Sequence, residues 1–115
     1  MATFPEVTTE KDLQLAIATA GARVVCVKFT ATWCRPCTQL HPVLEALAKQ
    51  HQNVLVYTAD LDKATELVNR YDIRAVPTMI FFWRNKVIHM QAGGDKATLA
   101  TAFEVANAMA GAVSN

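Results

Sequence analysis

The sequence predicts an α/β domain in which a central mixed β-sheet carries helices on both faces. Apolar, largely β-branched runs at residues 24–29 and 53–59 have the composition of strands covered on both sides. Segments with helical apolar spacing precede and follow each run. Residues 78–83 and 87–91 are then separated only by Arg84-Asn85-Lys86, a connection short enough for a hairpin. Parallel βα units followed by a hairpin require a sheet of mixed direction.

Each element has its own local cause. Thr8 or Thr9 can cap a first helix running through Thr19, where Leu13, Ala16, Ile17 and Ala20 recur at helical intervals and Gly21 supplies the stop. After the first strand, Leu40, Val43, Leu44, Leu47 and Ala48 define a helix reaching Gln50, with Pro42 inside it as an expected kink. The second strand exits through Asp60 and Asp62, and residues 64–71 form a short helix with Leu67 and Val68 inward. Met79, Ile80, Phe81 and Phe82 read as the core of a strand covered on both sides, and Trp83 as an edge residue. Gly93-Gly94 breaks the chain, Asp95 can cap the last helix, and Leu99, Ala102, Phe103, Ala106 and Ala110 make its apolar stripe before Gly111.

The 115 residues, 52% of them hydrophobic, are enough for one core and too few for two, so a single domain spanning 1–115 is expected. A formal net charge of +1 without blocks of like charge gives no basic footprint for nucleic acid and no acidic tail. No run approaches the roughly 18 apolar residues of a membrane span, and residues 1–7 lack the pattern of a signal peptide. Three cysteines, an odd and small number, do not make a secreted disulfide scaffold. The expectation is a cytoplasmic monomer.

Two of those cysteines carry the chemistry. In Trp33-Cys34-Arg35-Pro36-Cys37 the thiols stand three positions apart where a strand hands over to a helix. Residues so spaced on a first helical turn are neighbours, and a disulfide needs Cα atoms within about 7 Å. The pair can therefore open and close without moving the fold, which is the requirement of a redox site.

Nearly the whole chain resembles the thioredoxin family. The resemblance rests on Trp33, Cys34, Pro36 and Cys37, on Tyr71-Asp72-Ile73-Arg74-Ala75-Val76-Pro77-Thr78, and on Gly93 behind the second hairpin strand. Arg35 stands where the family motif Trp-Cys-Gly-Pro-Cys has glycine. The resemblance implies a thioredoxin-like fold and a protein-disulfide reductase. It also implies a cis bond before Pro77 opposite the dithiol, Val76 backbone pairing with a bound client strand, close backbone approach at Gly93 and a contact surface lined by Trp33, Arg35 and Pro36. No bound cofactor is implied; the redox group is the Cys34–Cys37 disulfide itself. The implied partners are client proteins with disulfides and an upstream reductant, either an NADPH-dependent thioredoxin reductase or another dithiol.

Within this frame Cys34 is the expected nucleophile, because a helix start and the neighbouring Arg35 both favour a thiolate over the ordinary thiol, whose pKa is about 8.5. Cys37, one turn further in, is the expected resolving thiol. Pro36 sits where a helix tolerates its missing N–H. Six residues before Cys34, where the family carries a buried aspartate, this chain has Lys28. Three roles are open to Lys28: a neutral base, a charged stabiliser of the Cys37 thiolate, or a side chain snorkelling to the surface. A cationic Lys28 together with Arg35 would make the pair more oxidising than the family norm. Thr30 replaces a tryptophan common in the family.

Other readings are plainer. Cys26 is expected to act as a small apolar core residue. His41, four residues after Cys37, lacks the further ligands of a zinc site, and His41, His51 and His89 read as surface or strand residues. Asp60 and Asp62 read as solvated loop residues. Two rivals to the reductase remain: a more oxidising disulfide exchanger or specialised relay, and a non-catalytic binding subunit with an incidental dithiol.

Overall fold

The computed structural model describes residues 4–112; residues 1–3 and 113–115, the ends of the expected domain, lie outside the described residues. Its elements run α1 (Glu10–Ala20), β1 (Val24–Thr30), α2 (Arg35–Gln50), β2 (Val54–Asp60), α3 (Thr65–Arg70), β3 (Thr78–Trp83), β4 (Lys86–Ala92) and α4 (Lys96–Gly111). The sheet order is β2-β1-β3-β4. β1 is parallel to β2 and antiparallel to β3, and β3 and β4 form the hairpin. The expected mixed sheet is therefore present.

Side-chain alternation along β1 divides the core into two layers. Val25, Val27 and Phe29 pack on one face with Leu13 and Ile17 of α1 and Leu67 of α3. Val24 and Cys26 pack on the other with Leu40 and Leu44 of α2 and Leu99 and Phe103 of α4. Lys28 is the next residue on the Val24 and Cys26 side. The same alternation that builds the core thus carries a lysine beneath α2.

Helix ends follow local chemistry. Thr9 caps α1 by accepting from Asp12 N–H at 3.1 Å, and the Asp12 carboxylate accepts from Thr8 and Thr9 N–H at 2.9 and 3.1 Å. This reciprocal box satisfies donors that a helix start leaves open, and those backbone bonds, Thr8 first, hold the Asp12 carboxyl below the usual carboxylate range. At the other end Gly21 adopts φ 62°, which only glycine enters freely. α2 continues through Pro42 without ending, although proline gives no N–H to the Thr38 carbonyl one turn back.

Two expectations are corrected. The hairpin loop is Arg84-Asn85 alone, both at positive φ (52° and 68°), and Lys86 already belongs to β4. Two consecutive left-handed residues match the twist of the flanking strands, so the turn needs no third residue. Trp83 is not an edge residue: it ends β3, an interior strand, is half-buried, and donates Nε1–H to the Ala22 carbonyl at 2.9 Å. The Arg84 guanidinium lies over its ring at 4.8 Å.

Candidate functional site

The end of β1 delivers the dithiol to the start of α2. Cys34 is the N-cap, in extended conformation, and its Sγ accepts the Cys37 N–H at 3.2 Å. Its own N–H donates to the Ala31 carbonyl at 3.1 Å, and its carbonyl accepts from Thr38 N–H and Oγ1 at 3.3 Å each. Arg35 and Pro36 open the helix, where the absent proline N–H would be unpaired in any case. Cys34 and Cys37 are joined by a disulfide with Cα atoms 5.3 Å apart. Cys37 is the more buried of the two, at 1% exposure against 4%, and both pack with Ala31 beside Leu61 and Val76.

Opposite them, the Val76–Pro77 peptide is cis. The Val76 carbonyl oxygen lies 3.8 Å from Cys34 Sγ, and the Pro77 carbonyl accepts Gly93 N–H at 2.8 Å. One hydrogen bond thus ties the loop carrying Gly93 to the loop facing the dithiol. Gly93 has φ 90° and no atom within 4 Å of where a Cβ would stand, so the chain leaves open space in front of it. Trp33 is exposed to 67%, and Arg35 and Pro36 are also exposed.

Lys28 does not snorkel. Its side chain is 3% exposed, and Nζ donates to the Cys37 carbonyl at 2.8 Å. Burial pulls its pKa down from the ordinary lysine value. Among the described residues no carboxylate pairs with it. Across the sheet its neighbours are Thr58 on β2 and Met79 on β3. Lys28 and Cys37 line a cleft of about 370 Å³ behind the disulfide, together with Thr38, His41, Glu45 and Thr58.

His41 therefore has a place that the sequence reading missed. Its Nε2 is 3.7 Å from Glu45 Oε2, and Phe4 packs edge-on against its ring at 5.2 Å. The available signal was the spacing of Cys37, His41 and Glu45 at i, i+4 and i+8, which sets three functional groups on one stripe of α2. Cys26 is buried, and burial pushes its thiol up, as in inert core cysteines. Asp60 accepts the Asp62 N–H at 2.8 Å and does not line the cleft.

The sequence profile of the thioredoxin family matches residues 4–104. A thioredoxin of Ictalurus punctatus is 37% identical over 86 residues, covering 73% of this chain and 80% of that protein. Thioredoxin H5 of Oryza sativa is also 37% identical, covering 79% of this chain and 67% of that one. The chain spans only 28% of a TPR repeat-containing thioredoxin TDX from the same plant. The X-ray structure of Fasciola hepatica thioredoxin superposes with a TM-score of 0.85 at 29% identity, covering 90% of this chain and 99% of that one. With its mixed sheet, its Cys34–Cys37 disulfide at the start of α2 and the cis-Pro77 loop facing it, the chain belongs to the thioredoxin family, generally thiol–disulfide oxidoreductases.

Proposed function

We propose that the protein is a general protein-disulfide reductase acting through the Cys34/Cys37 dithiol. One observation carries this reading: Cys34 Sγ sits at the α2 N-cap accepting an N–H bond, which is where a helix stabilises a sulfur anion. In the reduced protein the Cys34 thiolate attacks a client disulfide, forming a Cys34–client bond and expelling one client thiolate. The Cys37 thiolate then attacks Cys34 Sγ, breaking that bond and releasing the second client thiolate. The client gains two electrons and the protein becomes the Cys34–Cys37 disulfide. An upstream reductant, a thioredoxin reductase using NADPH or another dithiol, restores it.

Trp33, Arg35 and Pro36 form the client-facing rim, and the Val76 backbone with Pro77 and Gly93 receives the client strand. On this reading Lys28 takes, of the three roles open to it, that of charged stabiliser of the Cys37 thiolate, since Nζ is held against the Cys37 backbone. The site of action is the cytoplasm and the working form a monomer. Insulin reduction with a generic dithiol tests the reading: turnover is expected in the wild type and its loss in Cys34→Ser. A client bound without turnover in the wild type would instead indicate a scaffold.

Lys28 also supports a second reading, a more oxidising exchanger, because a cation beside the thiolate favours the reduced form. The reference potential for thioredoxin is about −270 mV and for protein disulfide isomerase about −180 mV. Titration in glutathione redox buffer separates the two.

A further inference from the structure

We infer that the His41–Glu45 pair on α2 is a proton station for the dithiol, taking the proton that Cys37 must lose before it resolves a mixed disulfide. The inference rests on the exchange reaction proposed above.

Resolution requires a Cys37 thiolate, yet Cys37 is 1% exposed. Its proton needs an acceptor within the fold. Cys34 cannot serve, because in the mixed disulfide its sulfur is bonded to the client. Lys28, charged in the reading above, has no lone pair for the proton and stabilises the anion without receiving it. Asp60 and Asp62 lie outside the cleft, and Asp60 is engaged with the Asp62 N–H.

What remains is the cleft itself. It joins Cys37 and Lys28 to His41 and Glu45, whose side chains are 26% and 25% exposed and so reach solvent. The polar groups facing it are Lys28 and Thr30 from β1, Thr58 from β2, and Cys37, Thr38 and Glu45 from α2, with the Phe4 ring against the imidazole. Imidazole is the side chain suited to exchange protons near neutral pH. Glu45 Oε2 lies 3.7 Å from Nε2 on the same face of α2.

The step balances. The proton passes from Cys37 Sγ through solvent in the cleft to an imidazole nitrogen. The sulfur electron pair then forms the Cys34–Cys37 bond while the Cys34–client bond breaks, and its electrons leave with the client thiolate. His41 afterwards returns the proton to bulk solvent at the cleft mouth.

The test uses reduced protein and a bis(nitrobenzoate) disulfide, whose coloured thiolate leaves once when Cys34 attacks and again when Cys37 resolves. His41→Asn is expected to slow the second release about tenfold or more while leaving the first within about twofold, and free imidazole in the buffer should restore it. An unchanged second phase, or a slow one that imidazole does not rescue, overturns the inference. If His41→Asn fails to fold, Glu45→Gln carries the test: its second release should slow about threefold, and an unchanged rate overturns the pairing. A wild type showing no second release would refute the exchange reaction itself, and the proton station with it.

Discussion

Replacing Lys28 by methionine should make the Cys34/Cys37 pair more reducing. Methionine retains much of the apolar stem and removes the charge. In the oxidised protein the ammonium has one acceptor, the Cys37 carbonyl at 2.8 Å. In the reduced protein, at a pH where Cys37 has ionised, it gains the Cys37 thiolate. Carbonyl oxygen and Sγ belong to one residue, so Nζ lies within roughly 7 Å of the sulfur by covalent geometry. At an effective dielectric constant of about 20, unit charges at that separation attract by about 2.4 kcal/mol. Solvent entering the cleft reduces the net effect to about 1–2 kcal/mol, or about 20–45 mV for two electrons. Arg35 is exposed, so its contribution is largely screened. Equilibration in glutathione buffers, followed by alkylation and mass measurement of the oxidised fraction, reads the potential. A Lys28→Met potential equal to or less negative than the wild type would refute the reasoning.

Further outcomes follow from burial and capping. Burial places the folded-state pKa of Lys28 below its unfolded value of about 10.5, so between those values the unfolded chain binds more protons and stability rises with pH. Urea unfolding of the oxidised protein at stepped alkaline pH should show that rise, and Lys28→Met should lose it. Phe103 is fully buried and packs edge-on against Phe81 at 5.4 Å; Phe103→Ala should cost about 3–5 kcal/mol, and a loss below about 1 kcal/mol in the denaturant midpoint would contradict the α4 packing. Thr9→Ala removes the acceptor for Asp12 N–H and should cost about 1 kcal/mol, read by the same method.

How far the sequence carried depended on the range of each interaction. β1 and the Cys34–Cys37 site were legible because strand periodicity and an i, i+3 pair are local facts. Gly21, Asp95 and the stripe from Leu99 to Ala110 were legible for the same reason. The position of Lys28 could be counted, but its fate depended on how α2 lies over β1, which no local pattern states. Trp83 shows the limit more plainly: its partner, the Ala22 carbonyl, is 61 residues away. At Arg84 and Asn85 the strand register imposed left-handed conformations that arginine does not favour by itself. His41 reads from sequence as a surface residue short of the ligands of a metal site, because the cleft that gives it a role is made by three elements together.

Lys28 couples stability to redox state, and that coupling is bound by a closed cycle. Folding and reduction connect the same four states, so the potential shift caused by Lys28→Met must equal the difference between its effects on the stability of the oxidised and reduced proteins, provided the unfolded dithiol is indifferent to residue 28. In the oxidised form a buried ammonium with no carboxylate partner among the described residues is a burden, and methionine should relieve it. In the reduced form the same change removes the partner of the Cys37 thiolate, so the relief should shrink or reverse. Each 30 mV of potential shift must therefore appear as about 1.4 kcal/mol between the two unfolding measurements. Equal stability changes in both forms, alongside a shifted potential, would place the action of Lys28 in the unfolded chain and remove the ion pair from the account.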